Sequence, residues 1–364
     1  MQNCWKLLEI LKMAIYALWN NKGGVGKSYL TFQIAAEYAV THPNKKVLVL
    51  DLCPQANSSS MLLGGIERGE ANLDEIHSQA NKKTISGYIE SRILSPYVNP
   101  RSGASFYINP NQYNSQLPNN LYLVPGDEQL EIQASRVASA AMPGPTDAWR
   151  IVHTWISDLI EDVKVSLNTE DLTVFIDCNP SFSIYTELAM SAADRLLIPF
   201  SADGSSKRAV RAVLALIYGI TRQSGQQQSE FHINSQRYRM SVPKIYMYIG
   251  NRLTQMNQSS ATAFKTVVNE IGEEIYTAWT NNPNLFSIHP TGANPPNSRR
   301  AFRHMFQYEV NDANSASVVS GAEGIPISKL TAGNKQVLGK TVRVNQSQLD
   351  RQVPNIQALL HSIE

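Results

Sequence analysis

The chain has 364 residues, enough for one large α/β domain or two small ones. Hydrophobic residues make up 43% and charged residues 17%, and 32 basic against 30 acidic residues leave a net charge of +2, so any nucleic-acid contact must come from a local patch rather than a global field. The three cysteines, Cys4, Cys53 and Cys178, are far apart with no C-x-x-C pair, which speaks against a zinc site, an iron–sulfur cluster or a disulfide framework and for a reducing cytoplasm.

No stretch approaches the ~20 apolar residues of a membrane span. Residues 1–12, MQNCWKLLEILK, read as an N-terminal extension. Trp5, Leu7, Leu8, Ile10 and Leu11 make a short apolar helix face. Three readings stay open: a small helix packed on the domain, a helix contacting a partner or membrane, or a native start at Met13. Residues 13–364 read as a single domain. Ala14 to Trp19 is an apolar strand, Ser28 to Val40 a helix, and Lys46 to Leu50 a continuous apolar strand suited to a parallel sheet covered on both faces. Residues from about 64 to 120 read as an irregular insertion, with a short helix at Thr84 to Leu94. Asn120 to Gly126 is a strand ending at Pro125. After the Met142-Pro143-Gly144-Pro145 break, Thr146 to Val163 reads as one helix whose Trp149, Val152, Trp155, Ile156, Leu159 and Ile160 face the core. Leu172 to Ile176 is a buried strand, Asp194 to Pro199 another, and Lys244 to Asn251 a later one. Helices are expected at Ser206 to Tyr218 and Ser259 to Ile271. Strands alternating with helices predict an α/β fold, a doubly wound and mostly parallel sheet with helices on both faces.

Lys22 to Ser28, KGGVGKS, carries the chemistry. Gly23, Gly24 and Gly26 let the backbone wrap closely and aim its N–H groups at phosphate oxygens, with Val25 between them. Lys27 supplies a point charge to the β- and γ-phosphates, Ser28 offers a hydroxyl to Mg²⁺, and Tyr29 begins the helix whose positive end faces the anion. Asn21 stands where the usual pattern has its first glycine, and Lys22 is an added second lysine.

This double-lysine loop is the deviant Walker A motif, and the chain resembles the ParA/MinD family of P-loop ATPases. The likeness continues in Asp51-Leu52-Cys53-Pro54-Gln55-Ala56-Asn57, in Asp177-Cys178-Asn179-Pro180-Ser181, in the strand ending at Pro199, in KIYMYIGN up to Asn251, and in Gly324-Ile325-Pro326-Ile327, all in the family's order. The resemblance implies ATP and Mg²⁺ as cofactors. It also implies that Lys22 reaches the partner's nucleotide across a homodimer formed on ATP binding. Ser28 and Asp177, with Asp51, would hold Mg²⁺, and Asn251 with Arg252 would contact the base. Asn21, Asp51, Asp177, Pro199 and Asn251 all fall at strand carboxyl ends, where such folds bind ligand.

Cys53 departs from the family, whose second Asp in D-x-D positions the attacking water. A neutral thiol cannot hold a water as a carboxylate does. Either hydrolysis is largely lost, another group such as Asp51, Asp177 or a water network replaces it, or Cys53 senses redox state. Catalytic candidates are Lys22, Lys27, Asp51 and Cys53. For DNA the candidates are Arg299, Arg300 and Arg303, after a capping Ser298, with Lys207, Arg208, Arg211 and the segment Lys335 to Arg351 behind them. The expected function is an ATP-dependent dimerising switch of the ParA type. It would bind non-specific DNA to partition or position DNA or another cargo in the cytoplasm, near the nucleoid. Hydrolysis would be weak or stimulated by a ParB-like or cargo-adaptor partner. The alternatives are a near-inactive ATP-binding scaffold and a MinD-like membrane-associated regulator. The end PNIQALLHSIE is short and lacks Lys and Arg, which disfavours membrane contact.

Overall fold

The computed structural model describes residues 13–142, 147–201, 203–221, 225, 227–253 and 258–364, without the side chains of 252–264. The expected N-terminal extension and the side chain of Arg252 lie outside the described residues.

The chain opens with β1 (Ala14–Leu18), α1 (Lys27–Thr41) and β2 (Lys46–Leu52). Next come α2 (Asn57–Leu62), α3 (Gly65–Ser78), α4 (Ile85–Leu94), β3 (Leu121–Val124) and α5 (Gln129–Ala140). The middle holds α6 (Ala148–His153), α7 (Trp155–Ser166), β4 (Leu172–Cys178), α8 (Ile184–Ala192), β5 (Arg195–Phe200), α9 (Ser206–Tyr218) and α10 (Glu230–Arg237). Then follow β6 (Lys244–Leu253), α11 (Gln258–Asn281), α12 (Arg299–Phe306), β7 (Gln307–Asn311) and α13 (Ser315–Glu323). The hairpin β8 (Gly333–Val337) and β9 (Lys340–Val344) and the helix α14 (Gln346–Leu360) complete the chain.

Seven strands form one sheet in the order β3-β2-β4-β1-β5-β6-β7, and each neighbouring pair is parallel. The expected doubly wound fold is therefore the observed one. Alternation along β1 shows why both faces need cover. Ile15, Ala17 and Trp19 enter the core layer built with α6, α7, α8, α9 and α11. Ala14, Tyr16 and Leu18 enter the opposite layer, with α1, α13 and α14. Full burial of side chains such as Leu50, Ile176 or Leu197 contributes roughly 2 kcal/mol each against leaving them in water.

Three expectations need correction. The helix expected at Thr84 to Leu94 is α4, but residues 64–83 are not an irregular excursion: α3 fills most of them, and only 95–120 is loop with short 3₁₀ turns. The apolar face of α3 is thin because glycines replace side chains there. A Cβ on Gly65 would lie 1.9 Å from the Ala322 carbonyl oxygen, so α3 meets α13 backbone to backbone. The helix expected over 146–163 is two helices that break at Thr154, whose hydroxyl donates to the Ile151 carbonyl at 2.8 Å; the tryptophan-rich stripe is nonetheless buried as expected. Finally, α11 runs on to Asn281, and α5, α8, α10, β7 and the β8–β9 hairpin are additional. No helix among the described residues is long and apolar enough to cross a membrane. Ile356, Leu359, Leu360 and Ile363 of the last segment are buried in the core, so they offer no free amphipathic face.

Candidate functional site

All seven parallel strands end on one edge, and the chain order reverses direction beside β1, which makes a crevice there. The loop after β1 fills it. Gly24 and Gly26 take φ of +74° and +83°, the left-handed region that glycine occupies without strain. A Cβ added at Gly23 or Gly24 would meet no atom within 4 Å, so these glycines border open space rather than packed protein. The N-terminus of α1 opens onto that space directly after Gly26. Such a cradle of free N–H groups at a helix start suits a phosphate chain.

Lys27 is buried at the head of α1. Among the described residues its Nζ donates only to main-chain carbonyls, Lys22 at 3.0 Å and Asn20 at 3.4 Å. Burial pulls its pKa down, and the neighbouring Asp177 carboxylate opposes that shift. Asn251 donates from Nδ2 to the Val25 carbonyl at 2.9 Å, which ties the end of β6 to the loop. Asn20 does the same toward β5, donating to the Pro199 carbonyl at 2.7 Å. The Oδ1 atoms of both asparagines are buried with no partner among the described residues. Asn21, Asp51, Asp177, Pro199 and Asn251 are thus brought to one edge.

Asp51 and Asp177 sit opposite one another in the β2–β4 register, both fully buried. Their environments differ. Asp51 accepts from the Cys53 backbone N–H at 3.1 Å, the Ser59 N–H at 3.0 Å and the Ser59 hydroxyl at 2.7 Å. That hydroxyl in turn accepts from the Gly126 N–H at 3.0 Å. Asp51 is therefore engaged in fixing the 53–59 loop, which leaves it fewer free lone pairs for a metal than Asp177 has. Neither Asp177 oxygen has a hydrogen-bond partner among the described residues, although the Ser28 and Ser58 hydroxyls lie alongside and favour its ionised form. Burial first, then the Asp51 charge, raises the Asp177 carboxyl to about 7. A buried, unpartnered carboxylate next to a lysine and a serine fits a hard cation bound through oxygen and water. Ser28 and Asp177 are the residues that would hold Mg²⁺.

A cavity of about 430 Å³ opens over these groups, lined among others by Gly26, Lys27, Ser28, Tyr29, Cys53 and Glu131. Its size is within the range of small-molecule sites. The Tyr29 hydroxyl is tied to Gln352 of α14 at 2.8 Å, leaving its ring toward the cavity. Burial, then the Asp51 and Asp177 charges, push the Cys53 thiol up to about 12. Cys53 is thus a neutral wall of the cavity, and a thiolate sensor finds no support there. Glu131 is a residue that sequence reasoning misses. It is an exposed carboxylate on the first turn of α5 that reaches the same cavity, and no motif marks it.

Lys22 points elsewhere. It forms a short ion pair with Asp203 and donates to the hydroxyls of Ser201 at 3.2 Å and Ser206 at 3.4 Å, all within its own chain. The DNA candidates are also engaged. Arg299 and Arg303 both pair with Glu273, at 3.1 and 3.0 Å, and Arg299 lies over the Tyr276 ring. Ser298 caps α12 as expected, accepting from the Ala301 N–H at 3.2 Å. Lys207 pairs with Glu270 at 3.0 Å, and Arg211 pairs with Glu274. Arg300 has no ion pair among the described residues.

Fold and crevice together define a P-loop nucleotide-binding protein with a second lysine in its loop. The AAA_31 family, an AAA domain, matches residues 13–232, more than half of the chain. The chain belongs to that family, and its loop and fold are ParA-like. Chromosome partitioning protein ParA of Caulobacter vibrioides is 25% identical over 195 residues, covering 52% of this chain and 57% of that protein. The chain thus spans little more than half the length of the curated relatives it matches. Among solved structures, apo McdA from Cyanothece aligns over 96% of this chain and 99% of its own at a TM-score of 0.57 and 16% identity. An ATP complex of a McdA variant, also from Cyanothece, aligns over 97% and 98% at a TM-score of 0.54 and 15% identity. At those identities the likeness concerns the fold.

Proposed function

We propose that the chain is an ATP- and Mg²⁺-dependent switch that dimerises on nucleotide binding, contacts DNA in that state and positions a cargo. The observation that carries the reading is Asp177, a buried carboxylate with unpartnered oxygens beside Lys27, Ser28 and the open glycine loop. Backbone N–H groups of 23–28 would bind the β- and γ-phosphates, and Lys27 would leave its two carbonyl partners for them. Mg²⁺ would neutralise phosphate charge there. Asn251 would hold the loop against β6 and place its free Oδ1 near the base. Arg252 remains a candidate beside it.

Lys22 is expected to act in trans, stabilising charge on the partner's nucleotide. Docking of a second copy would have to break its contacts with Asp203, Ser201 and Ser206. The single domain over 13–364 with a cytoplasmic or nucleoid-associated location and a stimulating adaptor partner belongs to the same reading. The second reading, an ATP-locked scaffold, is favoured by Cys53, whose neutral thiol cannot position water. Glu131 is the carboxylate in the cavity able to take that part.

ATP turnover and sedimentation with ATP and Mg²⁺ separate the two. Wild type is expected to dimerise and turn over slowly, Lys22→Ala to lose turnover, and Glu131→Gln to lose at least tenfold in turnover with unchanged nucleotide affinity. A dead wild type that gains activity as Cys53→Asp would establish the scaffold. A monomer at saturating ATP would sink the switch.

A further inference from the structure

The two lysines of the phosphate loop are tied together through one residue. The Lys22 carbonyl accepts from Lys27 Nζ at 3.0 Å, while the Lys22 ammonium reaches across to the segment between β5 and α9. There it pairs with Asp203 and donates to the Ser201 and Ser206 hydroxyls at 3.2 and 3.4 Å. An ammonium has three N–H donors, so these partners take all of them and leave none for a phosphate.

The place of the Asp203 carboxylate does not depend on Lys22. Its Oδ2 also accepts from the Ser201 hydroxyl at 2.7 Å, and its Oδ1 accepts from the Ser205 N–H at 3.0 Å and the Ser205 hydroxyl at 2.8 Å. The backbone closes the same turn, with the Ser206 N–H donating to the Asp203 carbonyl at 3.1 Å. Slight burial raises the carboxyl, but the bonds from Lys22, Ser201 and Ser205 outweigh it and hold the group well below the usual range, so it is ionised at neutral pH. Lys22 can leave and the carboxylate keeps its other donors. The Lys22 side chain is 24% exposed and that of Asp203 47%, so separating them strands no buried charge.

The surroundings allow the movement. Asn20, fixed to the Pro199 carbonyl at 2.7 Å, anchors the loop before Lys22. After it, a Cβ on Gly23 would meet nothing within 4 Å, so the backbone there is unhindered. A groove of about 220 Å³, lined by Asn21, Lys22, Ser205 and Arg208 among others, opens along the contact and gives the ammonium room to swing out.

We infer that Asp203 is an autoinhibitory latch on Lys22: it holds the ammonium within its own chain, and nucleotide opens it by drawing Lys27 off the Lys22 carbonyl. The inference rests on the reading that Lys22 serves the nucleotide of a second copy. Phosphate is the stronger partner for Lys27, and its binding releases the peptide that carries Lys22. The coupling runs both ways. A latch that nucleotide must open also weakens nucleotide binding, and it raises the protein concentration at which two loaded copies join.

The test uses full-length protein with Mg²⁺ and a fluorescent, non-hydrolysable ATP analogue. Sedimentation velocity over a concentration series reads dimerisation, and titration at a concentration where wild type stays monomeric reads nucleotide affinity. Asp203→Asn keeps the shape and removes the charge. It is expected to dimerise at a protein concentration at least about threefold below that of wild type, since a partly exposed pair is released in each of two copies, and to bind the analogue at least about twofold more tightly. In the Lys22→Ala background the same change is expected to leave affinity unaltered, because the gain runs through that ammonium. Ser201→Ala removes a hydroxyl bonded to both side chains and is expected to shift both readings the same way by less; it decides the matter if Asp203→Asn does not fold. If the variants dimerise only at the wild-type concentration or above, or bind the analogue no more tightly, the latch is overturned, and weaker dimerisation would make Asp203 a contact between copies instead. An equal gain in affinity in the Lys22→Ala background would also overturn it, since Asp203 would then act without Lys22. If wild type stays monomeric at saturating analogue, the reading of a nucleotide-driven dimer itself fails and takes the inference with it.

Discussion

The crevice at the strand ends and the flank formed by α9, α11 and α12 both gather charge, but they treat it in opposite ways. On the flank Lys207, Arg211, Arg299 and Arg303 find Glu270, Glu273 or Glu274 within reach. In the crevice the polar groups are buried and incomplete: both Asp177 oxygens and the Oδ1 atoms of Asn20 and Asn251 lack partners among the described residues, and Lys27 holds only main-chain carbonyls. Leaving a buried polar group unmet costs about 1–3 kcal/mol. A chain carries several such groups in one place only if something else completes them. On the flank only the Arg211 Nε is left unmet among the described residues, so most of its charges read as structure even though they look like a basic patch in sequence.

The sharpest way to break this contrast is to remove the cation at its centre. Lys27→Ala is expected to weaken ATP binding at least 100-fold, about 2.7 kcal/mol, measured by calorimetry with Mg²⁺ present. Retained affinity would mean that the glycine loop alone makes the site and that the incomplete groups serve another purpose.

Asp177→Asn sharpens the contrast from the anionic side. Burial and Asp51 raise the Asp177 carboxyl in the fold to about 7, above its value near 3.9 in an unfolded chain. The unfolded chain thus ionises first, and this group costs stability progressively as pH rises from about 4 to 7. Without nucleotide, Asp177→Asn is expected to match wild type near pH 4 and to exceed it at pH 7 by roughly 1–3 kcal/mol in denaturant melts. With Mg²⁺ and ATP the order should reverse, because only wild type gains binding energy from the metal. A variant equally stabilised by Mg²⁺ and ATP would remove Asp177 from the metal site.

How much of this was legible in the sequence follows from the range over which each feature is encoded. The loop 22–28 and the residues Asp51, Asp177 and Asn251 are local strings at the ends of apolar runs, so their convergence is readable from the chain alone. The fold class follows from the same runs. The helix α3 escaped because its contact face is built by Gly65 and Gly69, which carry no hydrophobic signal. The hairpin escaped because only alternate residues of two short strands touch the core. Sequence already favours Asp177 over Asp51 for the metal but does not give the reason, since Ser59, which occupies Asp51, and Gly126, which holds Ser59, arrive from other segments. Nor could it tell that Lys22 meets Asp203 or that Glu273 stands between Arg299 and Arg303, contacts that exist only after folding.

The smallest effect is expected on the flank, and it tests the other half of the comparison. Arg299→Ala/Arg303→Ala removes two charges that share one glutamate on a partly exposed surface. Such pairs contribute about 0.2–1 kcal/mol each, so the melting free energy should fall by no more than about 2 kcal/mol. DNA affinity at fixed salt should change less than threefold, and Glu273→Gln should raise it slightly by releasing the two guanidinium groups. If the double arginine variant instead lost DNA binding while Glu273→Gln left it untouched, the pairing with Glu273 would be a resting contact that DNA displaces. Satisfied charge would then no longer distinguish structure from site in this molecule.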